Sequence, residues 1–226
     1  EANDTFIFNH NEVTLYRWIE AYEPELFVRI QRLVQAGRWH IMGGWYLQPD
    51  CNMPSGESFV RQILIGRLYF QEKFGAWPTT AINFDPFGHS RGLVQIMKKS
   101  GYDAYLFGRP TEGFIDMPES DFIWVGLDGS EVAAHRFIGW YNASLGKARA
   151  KVEQWLKDNA DREVGLLLWG VGNHGGGPSR KDIADLNALI AGTADPPIVH
   201  STPEAFFAEL AECGLPTARR EADLNS

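Results

Sequence analysis

Apolar and polar positions along this 226-residue chain switch between two periods, and the switches mark its elements. Short β-branched or apolar runs predict strands over 5–8, 39–42, 80–84, 104–107, 164–169 and 198–200. The run 164–169 is apolar without interruption, as in a parallel strand covered on both faces. Runs 121–125 and 131–136 flank Asp128-Gly129, a pair that predicts a hairpin turn. Elsewhere the period is helical. Helices are predicted over 13–21 and over 24–36, the latter with Pro24-Glu25 at its start, Leu26, Ile30, Leu33 and Val34 on one face and Gly37 at its end. A third starts near Ser55, spaces Phe59, Ile63, Phe70 and Phe74 on one side and stops at Gly75. Others follow at 93–100, at 145–159 with Leu145, Ala148, Val152 and Trp155 inward, and from a Ser179/Asp182 capping box to Ile190. The last opens at Thr202-Pro203.

Repeated strand–helix units predict a parallel α/β architecture, barrel or open sheet. No Pro/Gly/Ser stretch is long enough to separate domains, so residues 1–217 read as one domain, with a frayed polar tail over 218–226. An apolar share of 44% suits a soluble chain with one sizeable core. The formal charge of -8 argues against nucleic acid, whose phosphates need clustered Lys and Arg. No apolar run approaches the roughly 20 residues of a membrane-spanning helix. Cys51 and Cys213 lie far apart without metal-type spacing, and both are expected reduced and structural. The chain opens on Glu1-Ala2-Asn3-Asp4, with no Met and no signal pattern, and reads as a segment of a longer protein; a cytoplasmic location is favoured.

Candidate chemistry gathers where strands end. Asp85 follows a predicted strand, Pro86 cannot continue the ladder, and Gly88 permits a sharp turn. This puts a carboxylate at a carboxyl-terminal strand mouth, where α/β folds collect their chemistry. Two more loops fall on the same rim, 43–52 and 170–177. Together the three supply Asp50, Asp85, His89, Asn173 and His174, with Trp45 and Tyr46 as stacking surfaces. Such groups bind a divalent metal or perform nucleophilic and acid–base steps. Each also has a structural reading: Asp50 as an Asx turn, the histidines as donors to loop carbonyls, Glu12 as a surface carboxylate. His40 and His200 read as structural. Gly175 to Gly177 lacks the Lys-Ser/Thr of a phosphate-binding loop.

At these loops the sequence resembles glycoside hydrolase family 38, the class II α-mannosidases. The likeness is carried by Gly37-Arg38-Trp39-His40 through Gly44-Trp45, by Asp50 to Ser58 with Arg61-Gln62, and by Asn83-Phe84-Asp85-Pro86-Phe87-Gly88-His89-Ser90. Gln95-Ile96, Ser100-Gly101, Phe122-Ile123-Trp124 and Asp128-Gly129-Ser130 continue it in order. The resemblance implies a seven-stranded (β/α) barrel, here incomplete, with its first strand–helix unit missing. It further implies a catalytic Zn2+ and retaining hydrolysis of α-mannosides, with Asp85 as nucleophile and zinc ligand. Trp45, Asp50, His89 and Asn173, taken from the three rim loops, are the substrate-binding candidates. The implied partner is an α-mannoside or mannose-containing glycan; a homo-oligomer is left open, and incomplete sheet edges would favour aggregation or completion by another segment. Two departures stand out. The His-x-Asp zinc pair of the family's first strand has no counterpart here, and the acidic residue many members carry after the strand matching 164–169 is replaced by Asn173-His174: either His174 is the acid/base, or another carboxylate is, or the acid lies outside this segment. The alternatives are a non-catalytic carbohydrate-binding or scaffold segment, or another zinc-dependent carbohydrate hydrolase of polysaccharide deacetylase type.

Overall fold

A computed structural model of the chain describes residues 3–111, 113–115, 117, 120–172, 176–214 and 216–225. Strand β1 (Phe8–His10) runs parallel to β2 (Trp39–Ile41), and helices α1 (Val13–Tyr22) and α2 (Pro24–Gln35) form the crossover between them. Helix α3 (Gly56–Phe74) leads to β3 (Thr80–Asn83), and α4 (Gly92–Lys99) to β4 (Ala104–Phe107). Strands β5 (Asp121–Val125) and β6 (Glu131–Arg136) make the expected hairpin, with Gly129 at φ 81° in its turn. Then come α5 (Ala148–Asp158), the ribbon of β7 (Val171–Gly172) and β8 (Gly176–Gly177), α6 (Arg180–Gly192), α7 (Pro203–Glu212) and β9 (Arg219–Arg220).

The main sheet has the order β3-β4-β6-β5-β9 and is mixed: β3, β4 and β6 are parallel, and β5 runs against β6. Both faces of its parallel strands are covered, which suits the uninterrupted apolar run of β4. Ala81, Tyr105 and Phe107 face a cluster with Phe59 and Ile63 of α3 and Leu93 and Met97 of α4. Ile82, Ala104 and Leu106 point the other way, onto Phe206 and Phe207 of α7. The β1–β2 pair joins the main sheet through loop contacts: Trp45 Nε1 donates to the Ile82 carbonyl (3.0 Å), and Phe84 N donates to Gln48 Oε1 (3.0 Å).

Five sequence expectations are corrected. The first strand starts at Phe8 rather than Thr5. Residues 164–169 join no ladder; Val164, Leu166 and Leu168 pack on the α7-side cluster instead, and an apolar run satisfies either arrangement. Residues 198–200 likewise pair with no strand, His200 Nε2 meeting Asn187 Oδ1 at 3.0 Å. Helix α5 begins at Ala148, leaving Leu145 exposed. The tail is docked rather than frayed: Leu224 is fully buried, and its N–H and C=O both exchange hydrogen bonds of 2.9 Å with His89. A single leucine in a polar stretch has no period to reveal it.

Candidate active site

Asp85 stands two residues beyond β3, and Arg109 two residues beyond its parallel neighbour β4. Between the strand ends lies Gly108. A Cβ there would run into the Phe137 ring and the Phe84 carbonyl, so glycine is what lets the two ends close up. Arg109 Nε donates to Asp85 Oδ1. The aspartate side chain remains 39% exposed, so the pair looks out to solvent. The guanidinium lies between two rings, 4.8 Å from the Phe87 centroid and 4.7 Å from that of Trp140.

Behind this pair His89 is a spacer. Its Nε2 meets the Arg109 carbonyl at 2.7 Å and its Nδ1 meets the Tyr105 hydroxyl at 2.6 Å. A carbonyl only accepts, so the proton sits on Nε2 and Nδ1 accepts from Tyr105. Burial lowers the imidazole to about 4, which leaves it neutral at pH 7. Beside Asp85 rises an aromatic wall. Tyr141 stacks on Phe84 with centroids 6.1 Å apart, and Trp140 lies 4.6 Å from Tyr141. Burial first, and then the Asp85 charge, raise the Tyr141 phenol, which marks this ring as the carboxylate's neighbour. Trp140 holds φ at 61°, a left-handed conformation unusual for so large a residue. Asn142 Nδ2 donates to the Gly172 carbonyl at 2.5 Å and so ties the glycine-rich ribbon to the wall.

The other sequence candidates divide. Trp45 is fully buried, its indole N–H spent on Ile82, and offers no face for a sugar; this corrects its assignment as a stacking residue. His89 is equally buried with both nitrogens committed, and so lines no surface. Asp50 is exposed, and its Oδ1 accepts from Asn52 N (2.8 Å) and Met53 N (2.9 Å), the turn reading. Asn173 and His174 lie outside the described residues. Glu12 follows β1 on the same rim with φ at 69°, and burial raises its carboxyl. Sequence reasoning missed Arg109, Trp140 and Tyr141. Their signal was positional: Arg109 follows the carboxyl end of β4, the parallel neighbour of β3, and Trp140 and Tyr141 follow that of β6, the next parallel strand.

Zinc is a separate matter. Among the described residues no three His, Cys, Asp or Glu side chains gather as a metal would need, and Asp85's partner is a cation. The described residues do not fit a complete zinc site.

An α/β sheet with a carboxylate, an arginine and an aromatic wall at the carboxyl-terminal rim of its parallel strands defines the class, an α/β domain with a candidate active site at that rim. The chain belongs to the glycosyl hydrolases family 38, whose N-terminal domain it matches over residues 1–220. It is 34% identical over 208 residues to alpha-mannosidase G of Dictyostelium discoideum, covering 91% of this chain and 19% of that protein. Against alpha-mannosidase 2C1 of Homo sapiens the identity is 33% over 217 residues, covering 93% and 20%. The crystal structure of an alpha-mannosidase from Enterococcus faecalis V583 superposes with a TM-score of 0.81 at 26% identity, over all of this chain and 27% of that one. The chain thus spans about a fifth of the length of the curated relatives it matches.

Proposed function

We propose that the whole protein is a retaining α-mannosidase that removes terminal α-linked mannose through a covalent glycosyl-enzyme on Asp85. The observation that carries this is the place of Asp85: a solvent-facing carboxylate, oriented by Arg109, at the end of β3 in a family 38 domain. In the first step an Asp85 oxygen attacks the anomeric carbon as the bond to the leaving oxygen breaks and that oxygen takes a proton. In the second, water attacks the same carbon, gives its proton to the group that protonated the leaving oxygen in the first step, and the Asp85 carboxylate leaves. Arg109 holds one carboxylate oxygen, which fixes the direction of the other. His174 remains the proposed acid/base; its support is that Gly172, two residues earlier, is tethered to Asn142 beside the Asp85 wall. The seven-stranded barrel belongs to this proposal too, with β1 to β4 as four of its strands. Zinc enters only through Asp85, because no further ligands for it gather among the described residues.

The test is a fluorinated mannosyl fluoride that accumulates the covalent intermediate. The wild type is expected to carry the label on Asp85, located by peptide mass spectrometry, and Asp85→Asn to lose about 10³-fold or more in turnover of an aryl α-mannoside. A label on another residue, or an active Asn variant, defeats the proposal.

A further inference from the structure

Lys151 projects from α5, well outside the rim, yet its ammonium is spent on main chain. Its Nζ donates to the carbonyls of Trp140 (2.5 Å), Leu168 (2.7 Å) and Asn142 (3.1 Å). Two of these belong to the aromatic wall beside Asp85, and the third to the segment that leads into the Gly172 ribbon. The same segments are tied again by Asn142 Nδ2 to the Gly172 carbonyl and by Ala143 N to the Gly170 carbonyl (2.7 Å). The clamp therefore closes around Trp140, the residue whose backbone is held left-handed and whose ring covers one face of Arg109. A large side chain keeps such a backbone only where its surroundings over-determine it.

We infer that Lys151 is a positioning residue for the reaction proposed above: it holds Trp140 in its strained conformation, Trp140 keeps the Arg109 guanidinium in plane, and Arg109 aims Asp85. The effect on rate rests on the mannosidase reading; the effect on the Trp140 ring does not. Lys151→Met removes the donors and leaves three carbonyls unmatched, whereas Lys151→Arg keeps a cation with several N–H groups. Burial lowers the Lys151 ammonium to about 8, so at pH 7 it still carries its proton and all three donors.

The experiment labels the whole protein with 5-fluorotryptophan, which gives this chain eight fluorine resonances, and assigns the Trp140 signal with Trp140→Phe. In Lys151→Met the Trp140 resonance is expected to move, with kcat on an aryl α-mannoside falling at least about tenfold while KM stays within about threefold. Lys151→Arg is expected to restore both. A folded Met variant with an unmoved Trp140 resonance overturns the inference, and so does an Arg variant as impaired as the Met variant. Should Lys151→Met fail to fold, Trp140→Leu carries the test: the same loss in kcat is expected, and an unchanged kcat overturns the link to Arg109. A wild type that cleaves no α-mannoside while its Trp140 resonance still answers to Lys151 defeats the mannosidase reading and leaves the clamp standing.

Discussion

Arg109 is held in three ways: by the ion pair to Asp85, by the Phe87 and Trp140 rings, and by His89 on its carbonyl. Only a planar guanidinium uses the first two together. Lysine would keep the charge but neither stack nor present its donor in a fixed plane. Arg109→Lys is accordingly expected to lower kcat about ten- to a hundredfold with little change in melting temperature, measured on an aryl α-mannoside. The contrast between residues also shows what sequence conveys at this scale. Asp85 was legible because Pro86 and Gly88 announce the turn that exposes it. Trp45 was misjudged because a loop in sequence carries no measure of depth, and it descends into the core; His89 descends too, and there takes its structural reading, donating to the carbonyl of Arg109. The two cysteines make depth measurable. Cys51 is buried against Asn83 Nδ2 at 2.6 Å, and burial pushes its thiol up to about 12, whereas Cys213 is exposed. A thiol reagent at pH 8 is expected to modify one cysteine per chain in the native protein and two after unfolding. Two fast-reacting native thiols would contradict the burial of Cys51.

At the scale of elements, the loop carrying Trp45 is positioned by helices on either side. Val13 N and Thr14 N, at the start of α1, donate to the Trp45 and Tyr46 carbonyls, while Tyr46 N and Leu47 N donate to the carbonyl and side chain of Gln62 on α3. That closeness depends on Gly66 of α3: a Cβ there would overlap the Gly44 carbonyl oxygen and crowd Tyr46 N. Backbone cannot step aside as a flexible side chain can. Gly66→Ala is expected to destabilise the fold by about 1–3 kcal/mol despite its gain in helix propensity, read from urea denaturation. A neutral or stabilising outcome would mean that the loop relaxes away from α3. Helices were read well from sequence because their caps and stops are local: Ser55, Ser179 and Thr202 each accept the expected N-terminal hydrogen bond, and Gly75 takes the left-handed cap. Asp182 shows the limit. Beyond its part at the start of α6, its carboxylate also receives Gly146 N and Ala148 N (3.1 Å each), capping a second helix 34 residues earlier. No local pattern encodes that, just as none distinguishes the packed run 164–169 from a paired strand.

For the molecule as a whole, the buried histidines set how stability depends on acid. Burial lowers His10 and His89 from 6.5 to about 4 and His135 to about 3, and it lowers His200 in the same direction. His10 Nδ1 has no hydrogen-bond partner among the described residues, and His89 has no position left for a second proton. In the unfolded chain all four would protonate near 6.5, while in the native chain His10 and His89 do so only at about 4 and His135 only at about 3. Their contribution to stability is therefore complete above pH 6.5, falls as pH drops from 6.5 to about 3, and levels off below. Carboxylates whose values are lowered, such as Asp182 with its Ser179 and backbone donors, lose their share only at the acid end of this range and below. Glu12 acts in the opposite sense: burial raises it, so just above its ordinary value the native chain holds the extra proton. At pH 5.5 the histidines dominate, and unfolding is expected to take up about two to three protons, measured as the slope of the unfolding free energy between pH 5 and 6 in urea. His10→Gln should reduce that slope by about one proton. A wild-type slope of zero, or a slope indifferent to His10, would mean that these imidazoles reach water in the native state and that the core around β1 and Asp85's support is more open than its packing indicates.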